Sequence, residues 1–311
     1  MRRRVHTCLR AYLAALVSVP FFLAAVGRTN YLFSYFKGNG EDGLHLAYSN
    51  DGLNWTPLND DKPFVAPKVG RVMRDPCIMK GTDGVFHMVW TAGAKGIGLA
   101  HSEDLIHWSE QEWVPVMEHE PKARNCWAPE VFYDEVKDQY LIFWSTTIPG
   151  RFPETDSTGD EGYNHRIYYA TTKDFKSYSE TKLFYDGGFN VIDATIVKDR
   201  ERYLMFLKDE TRRPTRKNIR FATSKSAEGP YGRASEPISL NWVEGPTAMK
   251  IGGEWIVYFD EYTRGRYGAV KSKDLKHWES ITDRLSFPEG ARHGTIFTVS
   301  DAVLAKLLEL R

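Results

Sequence analysis

The sequence predicts an all-β fold, a five-bladed β-propeller that forms a single domain. Three series of short segments carry this prediction, because each series occurs five times along the chain in the same order. A repeat of about 40 to 50 residues is typical of propellers, in which every repeat forms one four-stranded blade. The 311 residues are 42% hydrophobic, so the chain can also bury a large core.

The first series joins a β-rich segment to Ser or Thr, an acidic turn and an aromatic residue. Its members are LHLAYSNDGLNW (44–55), IGLAHSEDLIHW (97–108), RIYYATTKDFKSY (166–178), NIRFATSKSAEGPY (218–231) and RYGAVKSKDLKHW (266–278). Their turn residues, spaced by 53, 70, 52 and 48 positions, are Asp51, Asp104, Asp174, Ser226 and Asp274. The long spacing contains residues 148–164, which are rich in Gly, Pro, Asp and Thr and predict an inserted loop.

An apolar, aromatic-rich run of six residues precedes each member of the first series. Several of these runs alternate in polarity or stay apolar for four to six residues between turn residues, which is the pattern of β-strands. The runs are YLFSYF (31–36), VFHMVW (85–90), YLIFWS (140–145), YLMFLK (203–208) and WIVYFD (255–260). The chain is predicted to remain all-β until a short helix over residues 301–310.

The third series predicts the innermost strand of each blade. Its members are RDPCIM (74–79), CWAPEVF (126–132), VIDATIV (191–197), VEGPTAM (243–249) and RHGTIFTV (292–299). No outer strands follow the last member, so residues Thr29 to Leu58 are predicted to supply three outer strands for the innermost strand Gly294 to Val299. The two ends of the domain then close the ring. A β-sandwich is the alternative, but it does not explain five similar units of which one is split.

Polar residues at the beginnings of the predicted inner strands are expected to converge at one mouth of the central channel. These residues are Asp75, Trp127 with Glu130, Asp193, Glu244 and His293. Carboxylates at equivalent places in different blades would face one another, and burial and mutual repulsion would separate their pKa values. One protonated and one ionised carboxyl are what hydrolysis of a glycosidic bond requires.

The ordered set RDP, WAPE, VIDA, VEGP and RHG resembles glycoside hydrolase family 43 and its five-bladed propeller relatives. The resemblance covers the chain after the first 27 residues. It implies that Asp75 is the general base, that Glu244 is the general acid, and that Asp193 tunes and orients this acid. It also implies inversion of the anomeric configuration, which needs carboxyl groups about 6.5 to 9.5 Å apart to admit a water.

The same resemblance suggests residues that bind the substrate. Trp127 is expected to form part of the wall that contacts the sugar, with a place in the core between blades as the alternative. Glu130 would contact substrate hydroxyls or, as we favour, hold the inner strand by hydrogen bonds. Arg74 and Arg292 depart from the family pattern, and they are expected to bind sugar hydroxyls or a substrate carboxylate unless they are paired surface arginines.

His293 matches a channel histidine that lies near a calcium ion or another cation in many relatives, often through water. The resemblance therefore suggests a water-mediated Ca²⁺ in the central channel, and a cation-free site is the alternative. Calcium prefers oxygen ligands, so a single histidine does not form a cage for it. No cofactor is predicted to be required.

The function predicted from these features is that of an inverting exo-glycosidase acting on plant-type polysaccharide side chains. An α-L-arabinofuranosidase is favoured, with a β-D-xylosidase next, and the partner is an oligo- or polysaccharide. Equal numbers of basic and acidic residues, 41 of each, argue against a nucleic-acid partner. Two alternatives stay open: a phosphorolytic enzyme like the mannoside phosphorylases, which Arg74, Arg292 and the basic run 212–217 would serve, and a glycan-binding propeller without catalysis.

The N-terminal 27 residues predict a secretory signal peptide. Four arginines within the first ten residues precede an apolar run over residues 11–26, and small residues follow at a plausible cleavage site. This run is shorter than the roughly 20 residues of a spanning helix, so an uncleaved membrane anchor is the less favoured alternative. The predicted mature domain, residues 28–311, would be secreted or periplasmic. Its cysteines, Cys77 and Cys126, are predicted to be buried free thiols rather than a disulfide.

Overall fold

The fold was analysed in a computed structural model, which describes residues 29–310. The predicted signal peptide lies outside the described residues. Five antiparallel sheets form the domain, and each corresponds to one of the predicted repeats. No helix in the described part of the chain is long and apolar enough to cross a membrane.

Blade 1 joins the two ends of the domain, as predicted. Its strands are β1 (Asn30–Phe36), β2 (His45–Ser49), β3 (Thr56–Pro57) and, from the end of the chain, β19 (Arg292–Val299). The sheet has the order β19-β1-β2-β3, and the innermost strand β19 pairs with β1 in antiparallel fashion, with Phe33 opposite Ile296. Because the last strand of the chain completes the first sheet, the ring has no open seam at this blade.

Blades 2 and 3 are four-stranded meanders that run outward from the centre. Blade 2 consists of β4 (Arg74–Lys80), β5 (Phe86–Thr91), β6 (Ile97–Ser102) and β7 (Glu112–Val114). Blade 3 consists of β8 (Trp127–Asp134), β9 (Gln139–Thr147), β10 (His165–Thr172) and β11 (Lys182–Tyr185). The predicted inserted loop, residues 148–164, connects β9 to β10 and contains a short 3₁₀ helix at Pro153–Thr158.

Blade 4 has three strands and blade 5 has four. Blade 4 consists of β12 (Val191–Asp199), β13 (Arg202–Asp209) and β14 (Asn218–Ser224), and blade 5 consists of β15 (Glu244–Ile251), β16 (Glu254–Glu261), β17 (Arg266–Ser272) and β18 (Glu279–Ser280). Residues 232–238 run along the outer edge of β14, where the amide of Ser235 donates to the carbonyl of Phe221 at 2.8 Å. This irregular segment takes the place of a fourth strand.

The repeated Ser/Thr and Asp of the first series form the same turn in several blades. In blade 2, Asp104 Oδ1 accepts from the amides of Ile106 and His107 at 2.9 and 2.8 Å, while Ser102 Oγ accepts from the amide of Leu105 at 2.8 Å. Leu105 has a φ of 67°, so these side-chain bonds hold a left-handed residue in place. The repeat is therefore a structural turn, and it carries no part of the site.

The core consists of apolar clusters that lie between neighbouring blades. Large side chains without solvent exposure, such as Trp90, Trp144 and Tyr258, occupy these clusters. Cys77 and Cys126 are buried free thiols, as the sequence favoured. The predicted C-terminal helix is α1 (Asp301–Leu308), which is capped by Ser300 and packs Leu304 and Leu307 onto the domain.

Candidate active site

Every innermost strand begins with a β-bulge at the same place. In blade 2, Arg74 pairs with Thr91 and Cys77 pairs with Val89, so two residues of β4 oppose one residue of β5. The same two-against-one register follows Trp127, Ile192, Glu244 and Arg292 in the other blades. Bulges re-aim side chains and are common at active sites. Here they divide the strand beginnings into two rings around the channel.

The outer ring contains the residues before the bulges, and the inner ring contains the first bulged residues. The outer ring consists of Arg74, Trp127, Ile192, Glu244 and Arg292, and the inner ring consists of Asp75, Ala128, Asp193, Gly245 and His293. Asp75 and Asp193 have left-handed φ values of 51° and 54°, which non-glycine residues seldom adopt.

This register corrects one expectation. Asp75 and Glu244 were expected at equivalent places, yet Gly245 is the equivalent of Asp75 and Glu244 is the equivalent of Arg74. The structural reason is the bulge, which aligns RDP (74–76) with EGP (244–246) rather than with VEG (243–245).

The two rings surround a cavity of about 200 Å³. Its walls include all three predicted carboxylates together with Arg74, Trp127, Arg292 and His293. Clefts of about 410 and 460 Å³ lie elsewhere on the domain, but neither contains any of these residues. The small cavity is therefore the candidate active site.

Asp75 is held as a carboxylate at one side of this cavity. Its Oδ1 lies 3.2 Å from His293 Nδ1, and its Oδ2 accepts a hydrogen bond of 2.7 Å from the Thr91 hydroxyl. Burial acts to raise the pKa of Asp75, but the charge and hydrogen bond of His293, with the Thr91 bond, outweigh it and lower the pKa below its usual value. An ionised, partly buried carboxylate is suited to accept a proton.

His293 is the counterion of this carboxylate. Burial acts to lower the pKa of His293, but Asp75 opposes it and the pKa is raised to about 10. The ring of His293 also packs against Gly245, where an added Cβ would lie 2.3 Å from its Cγ. Gly245 thus leaves the space that the imidazolium occupies beside Asp75.

Glu244 lies between two cations. Its Oε1 accepts from Arg292 Nη2 at 2.9 Å, and its Oε2 lies 3.3 Å from Lys208 Nζ. Arg292 also donates from Nε to Asp260 Oδ2 at 2.6 Å. The Arg292 guanidinium therefore binds carboxylates of the protein itself and is a positioning partner of Glu244, although it lines the cavity as predicted.

Asp193 is buried behind Glu244 and is bound to the same strand. Its Oδ2 accepts from the amide of Gly245 at 3.1 Å, and its own amide donates to Ser145 Oγ at 3.2 Å. Burial raises the pKa of Asp193 to about 6, against the opposing charges of His293 and Lys208. Because Gly245 adjoins Glu244, this hydrogen bond links Asp193 to the backbone that carries Glu244.

Trp127 lies on the cavity wall under the inserted loop. The ring of Tyr163, from the end of that loop, lies 4.8 Å from the Trp127 ring. The Arg124 guanidinium lies 4.0 Å from the centre of the Tyr163 ring. Arg124 Nη1 also donates to the carbonyl of Gly162 at 2.8 Å. The loop is thereby held at the cavity rim, and Trp127 belongs to the wall rather than only to the core between blades.

Glu130 lies one layer below the cavity and is absent from its walls. Its two oxygens accept from the hydroxyls of Thr195 at 2.9 Å and Thr295 at 3.2 Å, and burial raises its pKa to about 7. These bonds link the inner strands of blades 1, 3 and 4. The contacts favour the structural alternative for Glu130 over a role in binding substrate.

Arg74 lies at the cavity mouth and is partly exposed. Its Nε donates to the backbone carbonyl of Asn39 at 3.1 Å. The rest of the guanidinium is directed to no carboxylate within 4.0 Å in residues 29–310. Arg74 therefore keeps donors that a ligand could use, and its binding of substrate stays a prediction.

The predicted calcium ion was tested against the residues around His293. Within the described residues, no group of three or more His, Cys, Asp or Glu side chains is arranged to hold a metal ion. His293 Nδ1 faces Asp75, and its cationic state disfavours coordination. The residues do not fit a directly ligated cation, and a water-mediated ion stays a prediction.

Sequence reasoning missed Lys208, Glu210 and Asp260. Lys208 and Asp260 lie directly opposite Ile192 and Glu244 on the second strands of their blades. Each ends one of the six-residue apolar runs, YLMFLK and WIVYFD, at the same repeat position. A charged residue at the end of a buried run was the signal that could have revealed them.

Lys208 and Glu210 add a buried ion pair to the cavity wall. Lys208 Nζ lies 2.6 Å from Glu210 Oε2, and Lys217 pairs with the other oxygen of Glu210. Burial acts to raise the pKa of Glu210, but the two lysines lower it below its usual value. The wall beside Glu244 is thus a network of alternating charges.

The fold and this site define a class of five-bladed propellers with carboxylates around a central cavity. A family described as "Probable glycosyl hydrolase domain", related to glycoside hydrolase family 43, matches residues 28–304. The chain belongs to this family.

A curated relative supports the same assignment over part of the chain. An α-L-arabinofuranosidase of Bifidobacterium longum is 28% identical over 126 residues, which are 38% of this chain and 12% of the relative. The chain thus matches only a small part of that relative's length.

Solved structures of low sequence identity share the fold. A thermostable family-43 glycoside hydrolase has a TM-score of 0.56 at 17% identity, and the match covers 73% of this chain and 80% of the hydrolase chain. An α-L-arabinofuranosidase from Lactobacillus brevis has a TM-score of 0.52 at 15% identity, with coverages of 73% and 90%. An exo-β-1,3-galactanase from Phanerochaete chrysosporium has a TM-score of 0.52 at 11% identity, with coverages of 69% and 51%.

Proposed function

We propose that this protein is a glycosidase, an inverting exo-α-L-arabinofuranosidase in which Asp75 is the general base and Glu244 the general acid. The observation that supports it most is that both groups line one small cavity together with Asp193. Asp75 is held ionised by His293, and Asp193 is bound to the backbone beside Glu244. Two carboxyls beside one cavity, one of them ionised, are what acid and base roles need.

The proposed reaction is a single displacement. Asp75 accepts a proton from a water molecule, whose oxygen bonds to the anomeric carbon as the bond to the leaving oxygen breaks. Glu244, in its acid form, transfers its proton to that leaving oxygen. Asp193 orients Glu244 through the Gly245 amide and tunes it by charge. The product is a free sugar of inverted anomeric configuration.

The exo mode is supported by the size of the cavity and by the inserted loop. About 200 Å³ is below the roughly 300 to 1,000 Å³ of pockets for drug-sized ligands, so the cavity suits a small terminal group. The loop over residues 148–164 stands at its rim through Tyr163 and Arg124. A closed end beside the catalytic groups favours removal of single sugars.

The sugar is proposed from the partial likeness to the curated arabinofuranosidase, and a β-D-xylosidase is the second candidate from the sequence. The galactanase among the structural neighbours adds β-D-galactosides to the substrates that should be tested. Polysaccharide side chains that end in these sugars are the proposed natural substrates.

The phosphorolytic alternative receives little support from the cavity. It would need a cluster of cations free to bind phosphate, yet of the four cations that line the cavity Lys208, Arg292 and His293 are paired with carboxylates and Arg74 alone keeps free donors. Within the basic run, Lys217 pairs with Glu210, and Arg213 and Arg216 line a separate cleft. A binding-only propeller would not require three carboxylates around one cavity.

The deciding experiment measures release of 4-nitrophenol from its α-L-arabinofuranoside, β-D-xyloside and β-D-galactoside by residues 28–311. Wild type, Asp75→Asn and Glu244→Gln are compared, with and without phosphate and with Ca²⁺ or a chelator. Hydrolysis by wild type that falls at least about 10³-fold in both variants supports the proposal. Activity that survives both substitutions refutes the assignment of acid and base, and a requirement for phosphate would establish phosphorolysis.

Secretion is proposed from the N-terminal pattern alone. The test is expression of the full chain in a bacterial host, followed by N-terminal sequencing of the exported protein. A mature terminus near Arg28 is expected, and retention of the full chain in the membrane would establish the anchor alternative.

A further inference from the structure

A second cleft beside the catalytic cavity is lined by four arginines. This arginine cleft, defined by Arg213, Arg216, Arg220 and Arg233, has a volume of about 290 Å³. Its walls contain only two acidic residues, Asp209 and Glu236. Guanidinium groups that converge on one cleft favour an anion, because each can form two parallel hydrogen bonds to a carboxylate.

The cleft and the cavity lie on opposite faces of the same segment. Side chains alternate along a strand, so Lys208 and Glu210 face the cavity while Asp209 and Thr211 line the arginine cleft. The inserted loop also contributes to both, since Thr158 lines the cleft and the same loop carries Tyr163 to the cavity rim. A group bound in the cleft is therefore one chain segment away from the catalytic cavity.

The arginines of the cleft are only partly neutralised by the protein. Asp209 lies 3.2 Å from Arg220 Nε and 3.7 Å from Arg216 Nη1. Arg220 is about nine-tenths buried, its Nε faces Asp209, and its Nη1 donates to the carbonyl of Ser235 at 2.9 Å. The protein itself therefore holds Arg220, and the two acidic residues of the walls offset only part of the positive charge of the four arginines.

Two further arginines are free to bind a ligand. Within residues 29–310, Arg213 and Arg233 have no carboxylate within 4.0 Å, and both are exposed on the walls of the cleft. They come from segments on either side of β14, so together they can hold an anion between them. The cleft thus has two exposed guanidiniums available, next to the buried Arg220 that the protein itself binds.

We propose that the arginine cleft binds a carboxylate carried by the glycan, such as that of a uronic acid, and so directs the enzyme to acidic polysaccharides. This inference rests on the proposed function for the identity of the ligand as a glycan. The binding measurement that tests it does not require hydrolysis. The two oxygens of a carboxylate match the two parallel N–H donors of a guanidinium. Because the arginine cleft lies one chain segment from the cavity, it suits a neighbouring sugar unit or a branch of the glycan that is being hydrolysed.

The test is a binding measurement that does not depend on turnover. Affinity electrophoresis compares a glucuronic acid-bearing arabinogalactan with the same sample after its carboxyl groups are reduced to alcohols. Wild type is expected to bind the acidic sample about tenfold more tightly, a preference of the size that a few charge-assisted bonds provide. The double variant Arg213→Gln/Arg233→Gln should lose this preference.

A matched control keeps the net charge of the double variant. Arg200→Gln/Arg284→Gln removes two exposed arginines outside the cleft, and it should bind like wild type. Thermal unfolding of all three proteins establishes that they are folded. A preference that persists in the cleft variant, or that the control variant loses equally, overturns the proposal.

Inorganic phosphate, titrated alone by calorimetry, distinguishes a glycan-borne anion from a free one. Phosphate binding that the cleft variant abolishes, without any preference for the acidic glycan, would overturn the proposal in favour of a free-anion site. Glycan preference without hydrolysis of any glycoside would instead refute the proposed function and leave the cleft assignment standing.

Discussion

His293 Nδ1 lies 3.2 Å from Asp75 Oδ1, and the two residues belong to the inner strands of neighbouring blades that are 218 positions apart in the chain. Both occupy the first bulged position of their strands, so the bulge aims them at each other. This ion pair keeps the candidate base ionised at the wall of the cavity. Its consequences can be measured.

Replacing His293 by Gln is expected to raise the pKa of Asp75. Burial acts to raise this pKa, and the His293 charge now reverses the effect, so its loss leaves burial less opposed. The acidic limb of the kcat/KM profile should move to higher pH by about one unit or more. His165→Gln is the control, because His165 lines the same cavity but its ring stacks on Tyr163. An unchanged limb in His293→Gln would exclude Asp75 as the group that titrates there.

Replacing Lys208 by Met is expected to destabilise the domain. Lys208 is 3% exposed and lies between Glu210 and Glu244, so its removal takes one of two cationic partners from each of these partly buried carboxylates. The expected loss is about 1 to 3 kcal/mol, measured by denaturant unfolding. The double variant Lys208→Met/Glu210→Gln removes one charge of each sign and should recover part of this loss. Equal stability of Lys208→Met and wild type would show that the network contributes nothing.

Replacing Gly245 by Ala should displace His293 and lower activity. The strain of a non-glycine residue at positive φ would by itself lower only stability. Gly245 has a φ of 58°, and an added Cβ would lie 2.3 Å from the His293 ring. The matched control is Gly253→Ala in the same blade, where φ is 86° and an added Cβ would meet nothing within 4 Å. The control should lose about 1 to 2 kcal/mol of stability and keep its activity. If the two variants are equally active, contact with His293 has no catalytic importance.

Replacing Glu130 by Gln is expected to change how stability depends on pH. The folded-state pKa of Glu130, about 7, lies above its usual value near 4.5. A raised acid pKa means that the folded state holds the proton more tightly than the unfolded state. The contribution of protonated Glu130 to the free energy of unfolding is therefore fully present below about pH 4.5 and is lost as pH rises through 7. The variant cannot ionise there, so relative to wild type it should gain about 3 kcal/mol between pH 5 and pH 8.

Thermal unfolding of both proteins at the two pH values measures this difference. Glu130 lies outside the cavity, so hydrolysis of a small glycoside tests its role separately. A large rise in KM in Glu130→Gln would support contact with the substrate and contradict the structural role.

Three predicted site residues illustrate how far sequence patterns extended. Asp75, Asp193 and Glu244 were found because each lies beside apolar strand residues at blade spacing, and all three line one cavity. The sequence placed Glu244 at the position equivalent to Asp75, which was wrong by one residue. The β-bulge that sets this register leaves no sign in the length of the motifs. The register that makes Gly245 the equivalent of Asp75 exists only once β15 pairs with β16.

Lys208 and Asp260 show the limit from the other side. Both end apolar runs that were recognised as strands, and nothing in the runs indicates which inner-strand residue lies opposite. Lys208 contacts Glu244 from the neighbouring blade, and Asp260 contacts Arg292 from another. These contacts depend on the angle between blades, which the spacing of repeats does not specify.

The sequence by itself determined the five-bladed fold, the closure of the ring by its two ends, the five inner strands and the family. It could do so because each repeat encodes its strands and turns locally, and equal repeats must stack around an axis to bury their apolar faces. The tertiary structure alone decided the pairing of His293 with Asp75, the cations around Glu244 and the arginine cleft. Those depend on charges from different blades that meet only when the ring has closed and water has been excluded from its centre.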